Sequence, residues 1–578
     1  MPTYDDYERA RTDFEWDLPE SYNPGVDMVR KHDADATGLL VAPSDSADEG
    51  AVEQFSFGDL DERSTALAAG LRARGVESGD RVGVCLPQVA ATPLAHLACW
   101  KAGAVSVPLT TLFGRDALEH RLGDADAVAV VAAGSVLEAL READLPALAS
   151  LFTVDADPDA AAATADALDA THEPFDDIAE HGASFEAHDA TPATRTAIMY
   201  TSGSTGPPKG VLHSHALWLG RAAAAQEFFE GYRVRDEVPA EDVTVWTPAD
   251  WAWGAALGGT LVGAWHHGHR IVGAPRASFD PAWAFGLMER FDVTHAFLPP
   301  TAIRMLMTVD DPAERWDLSL SAIGSAGEPL TPEILAWADA ELPAVSVNEF
   351  YGQTELNLVV GNNRRWFDAE PGSMGKPFPG YELALLDPET REPVERGEVG
   401  EIALRPGDRR VFFDEYWNRP EATADKTVSL TAGEVEEGSG SGTVDGEPET
   451  WFLTDDLATR DEADYVRFRS RTDDVILTAG YRVGPLEVER VLLDHPAVEQ
   501  AGVVGVPDET RGEVIRAYVQ PVAGLDAADH DRVREELRAS CRERLAEYEY
   551  PREIRFVAEL PTTSTGKIRR KALRDDGT

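Results

Sequence analysis

The segment richest in usable chemistry runs from Thr196 to His215, TAIMYTSGSTGPPKGVLHSH. An apolar, strand-like run (Ala197 to Tyr200) enters a loop of Thr201, Ser202, Gly203, Ser204, Thr205 and Gly206. Two prolines, Lys209 and Gly210 follow, and then a helix-like stretch through Phe229. Small residues leave backbone N–H groups uncovered, and the loop adds hydroxyls and one ammonium, a combination suited to a phosphate chain. It is not a Walker A loop, because Lys209 follows Pro208 rather than Gly and no Ser or Thr comes after it. A stray Gly/Ser turn is common, so the weight lies in what accompanies this one.

Four further segments accompany it in order: SAGEPL (Ser325 to Leu330), EFYGQTE (Glu349 to Glu355), FLTDDLATRDEADYVRFRSRTDD (Phe452 to Asp474) and PTTSTGKIRRKAL (Pro561 to Leu573). Together with TSGSTGPPKG they resemble the signatures of the adenylate-forming superfamily, which includes acyl-CoA synthetases, luciferases and peptide-synthetase adenylation domains. The wording of SAGEPL, YGQTE and GYRVGPLEVE is most similar to that of the medium-chain acyl-CoA synthetases. Such enzymes bring a carboxylate onto the α-phosphate of ATP, joining two anions, which demands cations, hydrogen-bond donors and a metal on the departing pyrophosphate.

The resemblance implies a role for each matching position. Thr201 to Gly206 and Lys209 would hold the β- and γ-phosphates, and Gly327, Glu328 and Pro329 would line the adenine. Glu349, Phe350, Tyr351, Gly352 and Gln353 would run along the nucleotide. Thr354 would donate to the α-phosphate, and Glu355 would hold Mg²⁺ as a hard oxygen ligand. Asp456 would accept the two ribose hydroxyls, Arg471 would support the ribose, and Arg482 would approach the phosphate and acyl carboxylate. Lys567 would stabilise the adenylating transition state. In relatives the C-terminal domain turns about a hinge, here Asp473, to admit CoA. Ala479, Gly480 and Tyr481 would then border the pantetheine, with Arg511, Arg542, Tyr550 and Arg552 near the CoA nucleotide. Where the superfamily usually has Thr-Gly-Asp, this chain has Thr454-Asp455-Asp456, an extra carboxylate that puts the local turn geometry in question.

Acetate-restricted members carry a tryptophan where this chain has Gly352. The expected acid is therefore medium-length or branched, since each extra buried methylene contributes about 0.8 kcal/mol. Trp251, Trp253 and the Gly-rich run Gly254 to Gly263 are candidates for the pocket wall. The alternatives are a short-chain (acetate or propionate) CoA ligase and an enzyme that loads a carrier protein. Further off lie an inactive nucleotide-binding regulator and a luciferase-like oxygenase. Cofactors and co-substrates implied are ATP, Mg²⁺ and coenzyme A.

These segments need a scaffold. Short apolar runs (Arg81 to Leu86, Ala127 to Val131) alternate with helical patterns (Leu67 to Arg74, Ala282 to Phe291), which predicts an α/β fold with mainly parallel sheets. The expected architecture is a large multi-subdomain N-terminal domain, residues 1–472, and a small mobile α+β C-terminal domain, residues 473–578. A charge census supports that boundary. Residues 473–578 hold 16 basic and 21 acidic residues, a net of -5, against -46 for 1–472, about half the charge density. A domain that meets polyanions benefits from that relaxation. Val154 to Arg195 reads as loop with a helix inside, and Ser429 to Thr450, a Gly/Ser/acid stretch, reads as an exposed insertion.

The whole chain has 578 residues and a formal net charge of -51. That excess argues against nucleic acid and anionic membrane as partners, while 43% hydrophobic residues supply real cores. Only 7 of the 52 basic residues are lysines, a composition like that of proteins from a salt-rich cytoplasm, where ions screen self-repulsion. Lys209 and Lys567 fall where the superfamily places a catalytic ammonium, as a compact point charge. Cys85, Cys99 and Cys541 show neither a disulfide framework nor zinc spacing. Neither long charge-free stretch, Val82 to Trp100 or Trp251 to His269, reads as a bilayer span, and no signal peptide is apparent. A cytoplasmic enzyme of acyl-chain metabolism is expected, of unassigned oligomeric state.

Overall fold

The computed structural model describes residues 3–43, 51–180, 185–201, 207–234, 242–276, 278–430, 449–472, 474–478, 481–508, 512–545, 549–562 and 568–575. Ser202, Gly203, Ser204, Thr205, Gly206, Asp473, Ala479, Gly480, Arg511 and Lys567 lie outside the described residues, as do residues 431–448 of the expected insertion. The chain forms two compact units. The first comprises Met1–Gly203, Pro207–Glu382 and Pro406–Asp425, and the second Leu383–Arg405 and Lys426–Thr578.

Two large sheets build the first unit. One runs, strand by strand, through Glu415–Tyr416, Lys209–Ser214, Arg195–Thr201, Val105–Leu109, Arg81–Cys85, Ala129–Ala133, Ser150–Val154 and Thr171–Pro174. The other contains the parallel series Ser346–Gly352, Ala322–Ser325, His295–Phe297, Thr244–Trp246, Arg270–Gly273 and Thr37–Val41, with antiparallel strands added at both edges. The expected α/β class with mainly parallel sheets is therefore present. Ala129–Ala133 is buried at every position, so it reads as a continuous small-apolar run rather than an alternating one. Helix ends follow local chemistry. Ser56 and Asp59 form a reciprocal capping box at the start of Phe57–Ala73, and Gly103, at φ +80°, ends Ala91–Ala102.

The helix Ala216–Phe228 has no exposed residue. Trp218 Nε1 donates to Thr196 Oγ1 of the first sheet (2.8 Å), and Asn348 of the second sheet donates to the Phe228 carbonyl (3.1 Å). A helix contacted all round is built from small residues, hence Ala222 to Ala225. The helix-like reading from Lys209 onward requires correction at its start. Lys209–Ser214 is a strand antiparallel to Arg195–Thr201, with Thr201 opposite Lys209, and the helix begins at Ala216. The strands on either side of the loop are thus the two arms of a β-hairpin. The helix inside Val154 to Arg195 is Pro158–Leu168, and the three cysteines are buried and free.

In the second unit, Glu449–Arg460 pairs antiparallel with Thr427–Leu430, Val466–Arg471 and Gly400–Pro406. Leu430 stands opposite Glu449, so residues 431–448 join two paired strands within one sheet. The C-terminal part is α+β. Strands Ile476–Thr478, Tyr481–Val483, Val498–Asp508, Gly512–Pro521 and Glu553–Phe556 form a sheet, and Pro485–Leu493 and His530–Arg544 pack on its Val/Ile/Leu core.

Candidate active site

At the base of the hairpin, His120 Nε2 lies 2.8 Å from the Pro208 carbonyl oxygen, fixing the chain just before Lys209. The strand Glu415–Tyr416 pairs with Lys209–Ser214, placing Tyr416 opposite Val211. The Lys209 ammonium sits over the Tyr416 ring, 5.1 Å from its centroid, and the Tyr416 hydroxyl donates to Glu355 Oε1 at 2.6 Å. One phenol thus carries a cation on its face and a carboxylate at its tip. This brings together the proposed phosphate lysine and the proposed metal ligand. Among the described residues no cluster of three or more His, Cys, Asp or Glu side chains could hold a metal. A single hard carboxylate suits Mg²⁺, which keeps waters and takes its remaining oxygens from substrate phosphates.

Glu355 closes a turn at the end of Ser346–Gly352, beside the end of the parallel strand Ala322–Ser325. Ser325 stands opposite Glu349, so both following loops leave from the carboxyl edge of the sheet, the usual place for ligands in parallel α/β structures. Buried Glu349 Oε2 accepts from the Leu330 backbone N–H (3.1 Å) and pins the Gly327–Leu330 loop. Gly327 has φ +103°, which a side chain would resist. Glu328 pairs with Arg304 at 3.2 Å, and Pro329 lies between it and buried Leu330. Phe350 is core, stacked on Phe228 at 4.2 Å, while Gln353 Nε2 donates to the Tyr351 hydroxyl (3.4 Å).

Three residues absent from the sequence expectations hold the turn. Arg221, fully buried on the Ala216–Phe228 helix, donates through Nη2 to the carbonyls of Leu356 (3.0 Å) and Gln353 (3.4 Å). Burial pulls its guanidinium down to about 10. Gly258 makes room for it, since a Cβ there would lie 2.9 Å from Arg221 Cγ. Asn357 Nδ2 donates to the Val411 carbonyl (2.6 Å), and the Phe413 N–H donates to the Glu355 carbonyl (2.8 Å). The third is Tyr416. An arginine in an alanine-rich helix and a tyrosine beside Trp417 carry no local mark of such duty.

A cavity of about 30 Å³, room for a water or two, touches Thr354 and is walled by Met199, Tyr200, Phe113, Trp253 and Gly254. Trp251 is not part of this wall. It is fully buried in the core, where a Cβ on Gly273 would come within 2.8 Å of its ring. The Gly-rich run forms a π-helix, Ala255–Val262, directly after Trp253 and Gly254. At Gly352 the side-chain direction holds no open pocket. A Cβ there would lie 2.3 Å from the Asn357 carbonyl oxygen and 2.9 Å from Leu358 Cα. The glycine serves the close approach of Leu358–Gly361 across a bulge in the ladder.

In the second unit, Asp456 is buried opposite Arg471, with Nη1 3.5 Å from Asp456 Oδ1. Asp455 has φ +59°, which explains the usual glycine and why aspartate, among the residues most tolerant of that region, can replace it. Asp474 is clasped by Arg574 (2.7 Å) and Arg570 (3.3 Å), and Arg570 also pairs with buried Glu489 (2.8 Å). Tyr481 and Arg482 lie on a strand antiparallel to Ile476–Thr478, with Thr478 opposite Tyr481. Arg542 and Arg552 each place a guanidinium on the Tyr550 ring, at 4.6 and 5.0 Å. No carboxylate pairs with either arginine among the described residues.

Comparison with known proteins gives the family. Residues 31–413 match the AMP-binding enzyme family, and 487–567 match the AMP-binding enzyme C-terminal domain. The acetyl-coenzyme A synthetase of Bacillus subtilis (strain 168) is 33% identical over 531 residues, covering 90% of this chain and 85% of that protein. The mitochondrial acyl-coenzyme A synthetase ACSM4 of Rattus norvegicus is 31% identical over 587 residues, covering 99% and 93%. The crystal structure of the anthranilate CoA ligase AuaEII in complex with anthranoyl-AMP superposes with a TM-score of 0.79 at 26% identity, over 97% of this chain and 98% of that one. Among the described residues no helix is long and apolar enough to cross a membrane. The chain belongs to the AMP-binding enzyme family, and within it to the acyl-CoA synthetases.

Proposed function

We propose that the chain joins a medium-length or branched carboxylic acid to CoA through an acyl-adenylate, with the residue roles that follow. In the first step a carboxylate oxygen bonds to the α-phosphorus of ATP as the bond to pyrophosphate breaks. In the second, the CoA sulfur bonds to the acyl carbon and AMP leaves. Lys209 and the Thr201 to Gly206 loop would hold the β- and γ-phosphates, and Thr354 would donate to the α-phosphate. Mg²⁺ supplies charge neutralisation on the departing pyrophosphate, and Glu355 would hold it. Tyr416 would keep Glu355 oriented by its hydroxyl. Asp456 and Arg471 would take the ribose, and Lys567 and Arg482 would meet the charge that develops at the phosphate.

The observation that carries this reading is the Lys209–Tyr416–Glu355 arrangement beside the tethered Thr354 turn. Tyr550, carrying two guanidinium groups that have no carboxylate partner among the described residues, supports a CoA phosphate site. For the acid, Trp253, Met199 and Tyr200 would set the depth, since position 352 accepts no side chain. The acidic, lysine-poor composition supports action in a salt-rich cytoplasm. The test is pyrophosphate release with ATP, Mg²⁺ and a panel of linear, branched and aromatic acids in concentrated KCl, with and without CoA. A mid-length optimum with CoA-dependent thioester is expected. A preference for acetate would refute the chain-length reading. Pyrophosphate release with no thioester would instead favour a carrier protein as acceptor.

A further inference from the structure

The Asp455 corner contains a charge arrangement that the adenylate-forming pattern does not call for. Asp455 occupies the left-handed region, and its backbone is fixed on both sides. Its N–H donates to buried Glu401 (3.0 Å), itself held by Arg391, and its carbonyl accepts from the Thr472 N–H (2.7 Å). The carboxylate therefore has little freedom to turn away. Oδ2 meets the Lys426 ammonium at 2.5 Å and the Arg471 guanidinium at 3.6 Å, while Arg471 Nη1 lies 3.5 Å from Asp456 Oδ1. Arg471 thus stands almost equidistant between the carboxylate assigned to ribose and the added one.

Lys426 is where it is because of strand pairing. It directly precedes Thr427–Leu430, its carbonyl accepts from the Leu453 N–H (2.9 Å), and this register sets it two residues from Asp455 across the ladder. Its side chain is only 12% exposed, against 40% for Asp455. A chain that uses arginine almost everywhere has put one of its seven lysines here. A single compact ammonium can neutralise one oxygen without the bidentate fork of an arginine reaching a second carboxylate.

We propose that Lys426 is a positioning residue for nucleotide binding. By neutralising Asp455 it leaves Arg471 with Asp456, and it lets the chain carry aspartate where a glycine is usual. Without it, the second carboxylate draws Arg471 away and adds a negative charge beside an anionic substrate. The proposal rests on the reading of Asp456 as the ribose ligand.

The test is an ATP titration by calorimetry together with the KM for ATP, on Lys426→Met, Asp455→Gly, the double variant, Lys426→Arg and Asp456→Ala, each checked for an unchanged melting profile. Lys426→Met should weaken ATP about tenfold with kcat changed far less, and concentrated KCl should recover part of the loss by screening. Asp455→Gly in the Lys426→Met background should restore wild-type affinity, because the charge needing neutralisation is gone. Lys426→Arg should lie between. Unchanged ATP affinity in Lys426→Met, or a double variant as weak as the single, overturns the proposal. Unchanged ATP affinity in Asp456→Ala overturns the ribose reading itself, a separate outcome.

Discussion

Around Thr354 and Glu355 the tethers end mostly on backbone carbonyls: Arg221 on Gln353 and Leu356, Asn357 on Val411, Phe413 on Glu355. Around Asp456 and Asp474 they run between charged side chains: Lys426 to Asp455, Arg471 to both aspartates, Arg570 and Arg574 to Asp474. The first set is buried and neutral at its acceptor end, so dissolved ions reach it poorly. The second is partly open to solvent and made of full charges, so its strength varies with ionic strength. The part of the site assigned to the reacting phosphate is thus fixed under any salt. The part assigned to ribose, and the element next to the expected hinge, are tuned by it.

Acid should separate the two units most. Histidines of the first unit are held down by burial: the buried His96, His213 and His295 to about 3 and His215 to about 4, and the half-buried His267 to about 3 and His269 to about 4. They stay neutral when folded but protonate when unfolded, near 6.5. Their contribution is therefore complete above pH 6.5 and is lost as pH falls toward 3. Glu227 and Asp414, raised by burial to about 8 and about 6, act in the opposite sense but are outnumbered. Urea midpoints of the first unit, followed by tryptophan fluorescence, should drop steeply between pH 6.5 and 4.5. A flat profile would contradict the buried cluster.

Next in size is Arg221→Met. It strips the partner from two buried carbonyls, at about 1–3 kcal/mol each. The urea midpoint and adenylation rate should both fall, by the same amount in dilute buffer and in molar KCl. Recovery in salt would mean that Arg221 acts by charge rather than as a donor.

Arg574→Met should have the smallest effect, about 1 kcal/mol in dilute buffer and near zero in concentrated KCl, because Arg574 is a third exposed and Asp474 keeps Arg570. A loss as large and as salt-independent as that of Arg221→Met would erase the distinction between the two regions.

The order of the nucleotide-binding segments was legible because each depends on a run of neighbouring residues, and so were the α/β class and the helix in 158–168. Partners contributed from afar were not legible. Tyr416 reaches Glu355 across 61 positions and Arg221 reaches Leu356 across 135, with nothing in either neighbourhood to mark it. Lys209–Ser214 was absorbed into the following helix because a short apolar run has no decisive period. At Gly352 the residue type was read as empty space, whereas the glycine accommodates a neighbouring backbone. Asp455 was visible as an anomaly, but its compensation by Lys426 lies on another strand.

The all-buried helix Ala216–Phe228 has one more consequence. It lies between the hairpin sheet and the sheet bearing the Thr354 turn, meeting the first through Trp218 and the second through Arg221 and Phe228, with Ala222 to Ala225 completing its buried surface. The distance between the Lys209 strand and the Thr354 turn is then gauged by the thickness of a helix packed on every side. A single added methylene on that helix would act as a thicker spacer, altering reach across the site without touching any group that meets the substrate.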